Sequence, residues 1–153
     1  MRMTIGTLLQ AIIDRVAETM PDAEHYRGRL EEGFIRPAFL YLPVYIGEKK
    51  RNHVTSEKTV EVQIIYFGKT DGFGREDFRD RLQMQDALDG FLNQFFLEAG
   101  DRKLHFTYET KEADGQMAFY LTFRFLDEAF DQRMVENEAM AAAESVRMDV
   151  RGK

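Results

Sequence analysis

Apolar residues at Ile5, Leu8, Leu9, Ile12, Ile13, Val16 and Met20 recur at the i, i+3, i+4, i+7 spacing of a helix with one buried face. Thr4 is placed to cap its first turn, because a hydroxyl there can accept an orphan backbone N–H. Pro21 stops it, since proline disfavours helical geometry in the residue before it. The period then changes. Residues 23–30 are compatible with a short strand. The run 38–46 is apolar on both faces, with Phe39, Tyr41 and Tyr45 on one and Leu40, Leu42, Val44 and Ile46 on the other, as in a strand buried on both sides. Pro43 cannot donate to a ladder, so it calls for an edge position or a bulge. A polar stretch over 47–58 leads into 59–67, where Val60, Val62, Ile64 and Tyr66 alternate with Glu61, Gln63, Ile65 and Phe67. Two strands separated by about a dozen polar residues predict a long β-hairpin arm projecting beyond the sheet, well past the usual loop of ~2–5 residues.

Asp71-Gly72 marks a turn, and a second helix is expected over 75–96 on the stripe Phe78, Leu82, Leu88, Phe91, Leu92, Phe95 and Phe96. Gly90 inside it weakens the helix by about 1 kcal/mol relative to alanine, which points to close packing or a kink. Leu104, Phe106 and Tyr108, then Asp114-Gly115, then Met117, Phe119, Leu121, Phe123 and Phe125 form a hairpin pattern with a tight positive-φ turn. Beyond residue 127 large apolar residues thin out. Residues 139–143 with their Glu and Met neighbours favour helix, without a wide apolar stripe. These elements predict an α+β fold: an antiparallel or mixed sheet, two helices packed on one face, a long hairpin arm, and an extra C-terminal helix or extension. The expected organisation is one domain over 1–127 and a polar extension over 128–153.

The 153 residues suffice for one core without staples. No cysteine is present, which excludes a disulfide framework, a thiolate metal site and a cysteine nucleophile. The net charge of −6 argues against wrapping nucleic acid, whose affinity comes mainly from cations on phosphates. No apolar run approaches the ~20 residues of a membrane span, and the N-terminus lacks the layout of a signal peptide. Composition thus predicts a soluble, intracellular, acidic protein.

The chemistry-bearing residues do not assemble into a motif. His25, His53 and His105 fall in three different elements with no ligand at i+3 or i+4, so neither a metal nor a cofactor is expected. Gly72-Phe73-Gly74 lacks the glycine pattern of a phosphate cradle and is surrounded by Asp71, Glu76, Asp77 and Asp80. Those acids, with Asp86 and Asp89, interleave with Arg75, Arg79 and Arg81 and predict a solvated or subunit-facing helix side, with Asp77 and Arg81 paired at i,i+4. Ser56 and Ser145 are the only serines, and no hydroxyl is tied to a base, so no enzymatic activity is expected. The cluster Lys49-Lys50-Arg51 suits a solvated loop, a contact with another protein or, least of all, nucleic acid.

The stretch Glu32-Gly33-Phe34-Ile35-Arg36-Pro37-Ala38-Phe39, the strand Thr59-Val60-Glu61-Val62-Gln63-Ile64-Ile65-Tyr66-Phe67 and the strand Ala118-Phe119-Tyr120-Leu121-Thr122-Phe123-Arg124-Phe125, behind an amphipathic N-terminal helix, resemble the tail terminator proteins of long-tailed phages. The likeness is to the form found in contractile-tailed phages and phage-tail-like bacteriocin particles of Gram-positive bacteria, over roughly residues 3–127. It implies antiparallel strands with helices on one side, and a homohexameric ring capping the head-proximal end of the tail tube. Such a ring would stop tail polymerisation, meet the tail tube protein, the sheath and neck or collar proteins, and at most let DNA pass through its lumen. It would work in the virion or particle without membrane, cofactor or turnover. Subunit and partner contacts are then expected on Lys49, Lys50, Arg51, Asn52 and His53 of the arm and on Arg133, Met134, Met140 and Arg147 of the extension. Another neck component, such as a head-completion or connector protein, and a small cytoplasmic ligand-binding domain are the alternative readings.

Overall fold

A computed structural model describes residues 2–129. The element order is α1 (Ile5–Thr19), β1 (Glu24–Arg27), β2 (Ala38–Lys50), β3 (Thr55–Phe67), α2 (Phe78–Leu92), β4 (Phe96–Ala99), β5 (Arg102–Ala113) and β6 (Gln116–Glu128). The strands form one mixed sheet in the order β1-β2-β3-β6-β5-β4, parallel only between β1 and β2. The α+β expectation holds, and both helices bury their apolar stripes in one core against a single sheet face. Leu8, Ile12 and Val16 of α1 and Met84, Leu88 and Phe91 of α2 meet Phe39, Tyr41, Val62, Ile64, Phe119 and Leu121 there. On β3 this face is the even-numbered set Val60, Val62, Ile64 and Tyr66, each at most 1% exposed, as period-two alternation requires.

Local signals decide where elements begin. Thr4 caps α1, its hydroxyl accepting from Thr7 N–H at 3.0 Å. Asp114 and Gly115 adopt φ of 52° and 79° in the two-residue turn between β5 and β6, where both central residues need positive φ. Pro43 sits at a bulge, the register with β3 shifting between Pro43 and Tyr45. It also lies beyond the reach of β1, which pairs only with residues 38–41 of β2. Both options that the proline allowed are therefore realised together.

Two expectations need correction. Residues 47–58 are sheet rather than a projecting arm. β2 and β3 stay paired through Gly47↔Thr59, Lys49↔Glu57 and Lys50↔Ser56, and only residues 51–54 turn. Thr55 to Thr59 are also bonded to β6, so β3 is flanked on both sides. Alternating Lys and Glu read as a loop in one dimension, but opposite charges face each other across the strands. The second helix is shorter than predicted, spanning Phe78–Leu92 after an Asp77 N-cap that accepts from Arg79 N–H. Phe95 takes a φ of 58°, and Phe96 begins β4. The buried stripe runs Asp80, Met84, Leu88, Phe91 and Leu92, leaving Phe78 and Leu82 exposed. Nothing lies within 4 Å of a Cβ built on Gly90, so close packing does not explain that glycine.

Candidate assembly surface

At one end of the sheet a charged cluster ties the chain's first residues to the sheet. Asp127, on β6, has a fully buried side chain that accepts from Met3 N–H at 2.8 Å, from Arg102 Nη1 at 3.1 Å and from its neighbour Glu128 N–H at 2.9 Å. Lys58 from β3 donates to the Met3 carbonyl at 2.7 Å, with its ammonium 3.6 Å from Asp127. Arg2 reaches Glu48 of β2 at 2.8 Å and the Glu128 carbonyl at 2.5 Å. Burial alone would raise the Asp127 pKa. The two backbone N–H bonds and the cations Lys58 and Arg102 outweigh that and hold it below the usual carboxylate range. None of these roles is legible in the local pattern, because the members come from five separate stretches of chain.

The predicted basic contact residues lie at the same end. Lys49 and Lys50 finish β2, and Arg51 and Asn52 open the turn. Arg51 is bonded to Glu57, and the Asn52 side chain accepts from Val54 and Thr55 N–H, both at 2.9 Å, which closes the turn. His53 is exposed at the tip. Arg133, Met134, Met140 and Arg147, with the predicted C-terminal helix, lie outside the described residues.

At the opposite end, the acids expected on a solvated helix side divide. Asp80 is buried, accepting from Tyr66 Oη at 2.6 Å and from Lys69 N–H at 3.0 Å. Arg81 pairs with Glu76 at 2.8 Å and Glu112 at 2.9 Å rather than with Asp77. Asp71 closes its own loop, its carboxylate taking the N–H groups of Phe73 and Arg75. Those donors are thereby turned inward, and Phe73 is left 84% exposed under the Arg75 guanidinium.

His25 is stacked on Phe39, rings 5.6 Å apart, with Nδ1 2.8 Å from Tyr41 Oη. Burial holds its pKa below the ordinary histidine value. No group of three His, Asp or Glu residues among the described residues is arranged to hold a metal ion. A depression of about 930 Å³ runs along the polar side of α1 and is lined by Thr7, Gln10, Asp14, Arg15, Arg27 and Glu98 among others. It is an open groove whose charged side chains include the exposed Arg15–Glu18 pair at its rim.

Some exposed apolar residues stand at the free edge of β2 and others on α2. Val44, Tyr45 and Ile46 of β2 are 46–55% exposed where β1 no longer covers them. Phe78 and Leu82 of α2 are exposed beside Arg81, which holds Glu112 on β5. Apolar surface at a strand edge is a place where another chain can dock.

A family model described as "Phage tail terminator protein" matches residues 7–136, which takes in every described element from within α1 onward. A comparison with curated proteins finds no match.

Proposed function

The chain belongs to the phage tail terminator family, a structural component of phage tails, and we propose that it caps the head-proximal end of the tail tube as a homohexameric ring. The ring ends polymerisation of the tail tube protein and offers its other side to neck or collar proteins and to the sheath. The particle is of the contractile type, a phage or a phage-tail-like bacteriocin of a Gram-positive bacterium. The chemistry is shape-matching between copies and a cylinder, with no turnover. A net charge of −6 suits a channel that lets DNA slide without adhering.

The observation that carries this reading is the family match across the whole folded body. Lys49, Lys50, Arg51, Asn52 and His53 stand at one end of the long strands, where they can reach a ring partner or the next ring. Arg133, Met134, Met140 and Arg147 are proposed to contact the tube or collar. The test is to add purified protein to polymerising tail tube protein and measure tube lengths and end shapes by negative-stain microscopy. Annuli on one end of shortened tubes are expected; tubes of unchanged length with bare ends would overturn the reading.

A further inference from the structure

Among the described residues, β2 and β5 are each covered on their outer edge over only about a third of their length, and at opposite heights. β1 covers residues 38–41 of β2 and leaves the rest of that edge open. β4 covers Arg102 to His105 of β5 and leaves Thr107 to Ala113 open. We propose that the subunits of the ring are joined by pairing these two free edges head to tail, β2 of one copy adding antiparallel to β5 of the next. This rests on the ring reading above and supplies its contact.

Hydrogen-bond alternation selects the register. Arg51 N–H turns toward β3, bonding Thr55 O at 2.9 Å, so Lys50, Glu48 and Ile46 turn theirs to the free edge. Phe106 N–H turns away from β6, bonding Phe95 O at 2.9 Å, so Tyr108, Thr110 and Glu112 do likewise. The pairing Lys50↔Tyr108, Glu48↔Thr110, Ile46↔Glu112 satisfies both strands and keeps each sheet face continuous. It sets Lys49 opposite Glu109, a favourable charge pair. It also brings exposed Ile46 to the level of Glu112, which Arg81 of α2 holds. Pro43 and the bulge fall just outside the paired stretch, where a missing donor does no harm.

The stagger is what a barrel needs. Within one subunit Lys50 is level with Ser56 and Asp127, and the β5–β6 register carried on from Phe106↔Phe123 puts Arg102 at that height. Moving from Arg102 to Tyr108 shifts neighbours by about 20 Å along the strand, over four strand spacings of about 19 Å in total. The strands then tilt by about 45°, close to the tilt of closed barrels, so equivalent copies stay at one height and the ring can close.

The test uses the full chain with Ile46→Pro or Thr110→Pro, each removing one outward donor while leaving the subunit's own ladder bonds. Sedimentation velocity should show rings for the parent chain and folded monomers for each variant. An equimolar mixture should give dimers, since each variant keeps one sound edge. Lys49→Glu and Glu109→Lys provide milder variants that keep the backbone unchanged. Each should weaken assembly about fivefold, and the double variant should recover it. Rings of parental size from both proline variants would overturn the edge pairing and leave the ring reading standing. A parent chain that remains monomeric and leaves tubes uncapped would instead overturn the ring reading.

Discussion

The Lys58 ammonium lies 3.6 Å from the Asp127 carboxylate, two groups 69 positions apart in the chain that the adjacent strands β3 and β6 bring together. Met3 bridges them, its N–H on the acid and its carbonyl on the amine. The start of α1 is thereby held to the sheet. Asp127→Ala is expected to destabilise the fold by about 3 kcal/mol, because it leaves buried Lys58 with only Glu48, 4.0 Å away, and strips Met3 N–H and Arg102 of their acceptor. Urea denaturation with an unchanged m-value checks this.

The same pair gives a pH dependence. Asp127 has a folded-state pKa below its unfolded value, so its stabilisation is complete above the unfolded pKa, near 4, and is lost as the pH falls through the lower folded value. Thermal melts between pH 2 and pH 5 should fall steeply in the parent and less steeply in Asp127→Asn.

His25 acts in a higher window. Its pKa is lowered in the folded protein, so the unfolded chain binds the extra proton first and stability declines as the pH drops below about 6.5. The imidazole proton shifts of His25 should titrate below 6.5 in NMR spectra. A midpoint above that value would mean the ring is not buried between Phe39 and Tyr41.

Tyr66→Phe removes the 2.6 Å hydrogen bond to Asp80 and leaves that buried carboxylate with the Lys69 N–H. A loss of about 1–2 kcal/mol is expected, chiefly the cost of an under-bonded acid. Tyr66→Phe combined with Asp80→Asn should lose less than the sum of the two single changes, which a double-mutant cycle measures.

Gly90→Ala should stabilise the protein by up to about 1 kcal/mol, since the position is helical, exposed and free of neighbours within 4 Å of an added Cβ. A rise in melting temperature of about 2–4 °C is expected for a chain of this length. A fall would show that this face of α2 tolerates no side chain.

Much of the fold is legible because its cues are local. The α1 stripe, the Thr4 cap, the Pro43 irregularity and the Asp114-Gly115 turn are each written within a few residues, and all appear in the structure. The second helix ends sooner than its pattern predicts because Phe95 and Phe96 prolong an apolar rhythm that the positive φ at Phe95 interrupts. Residues 47–58 predict an arm rather than sheet because Glu48, Lys49, Glu57 and Lys58 look like solvated loop until opposite charges are placed across two strands. The proposed contact surface was legible only at Lys49 and Lys50. Its other half, on β5, looks like any alternating strand.

The sequence by itself determined the periods and the turns: where the chain coils, where it extends, and where it reverses. Tertiary structure alone decided which charges go inside and which strand edges stay open. Hydrophobic period is set by neighbours three or four residues apart, whereas Asp80 and Asp127 can be buried only because Tyr66, Lys58 and Met3 arrive from distant parts of the chain. An open edge, likewise, is defined by where a neighbouring strand stops covering it, as β1 does at Arg27 and β4 at Phe96.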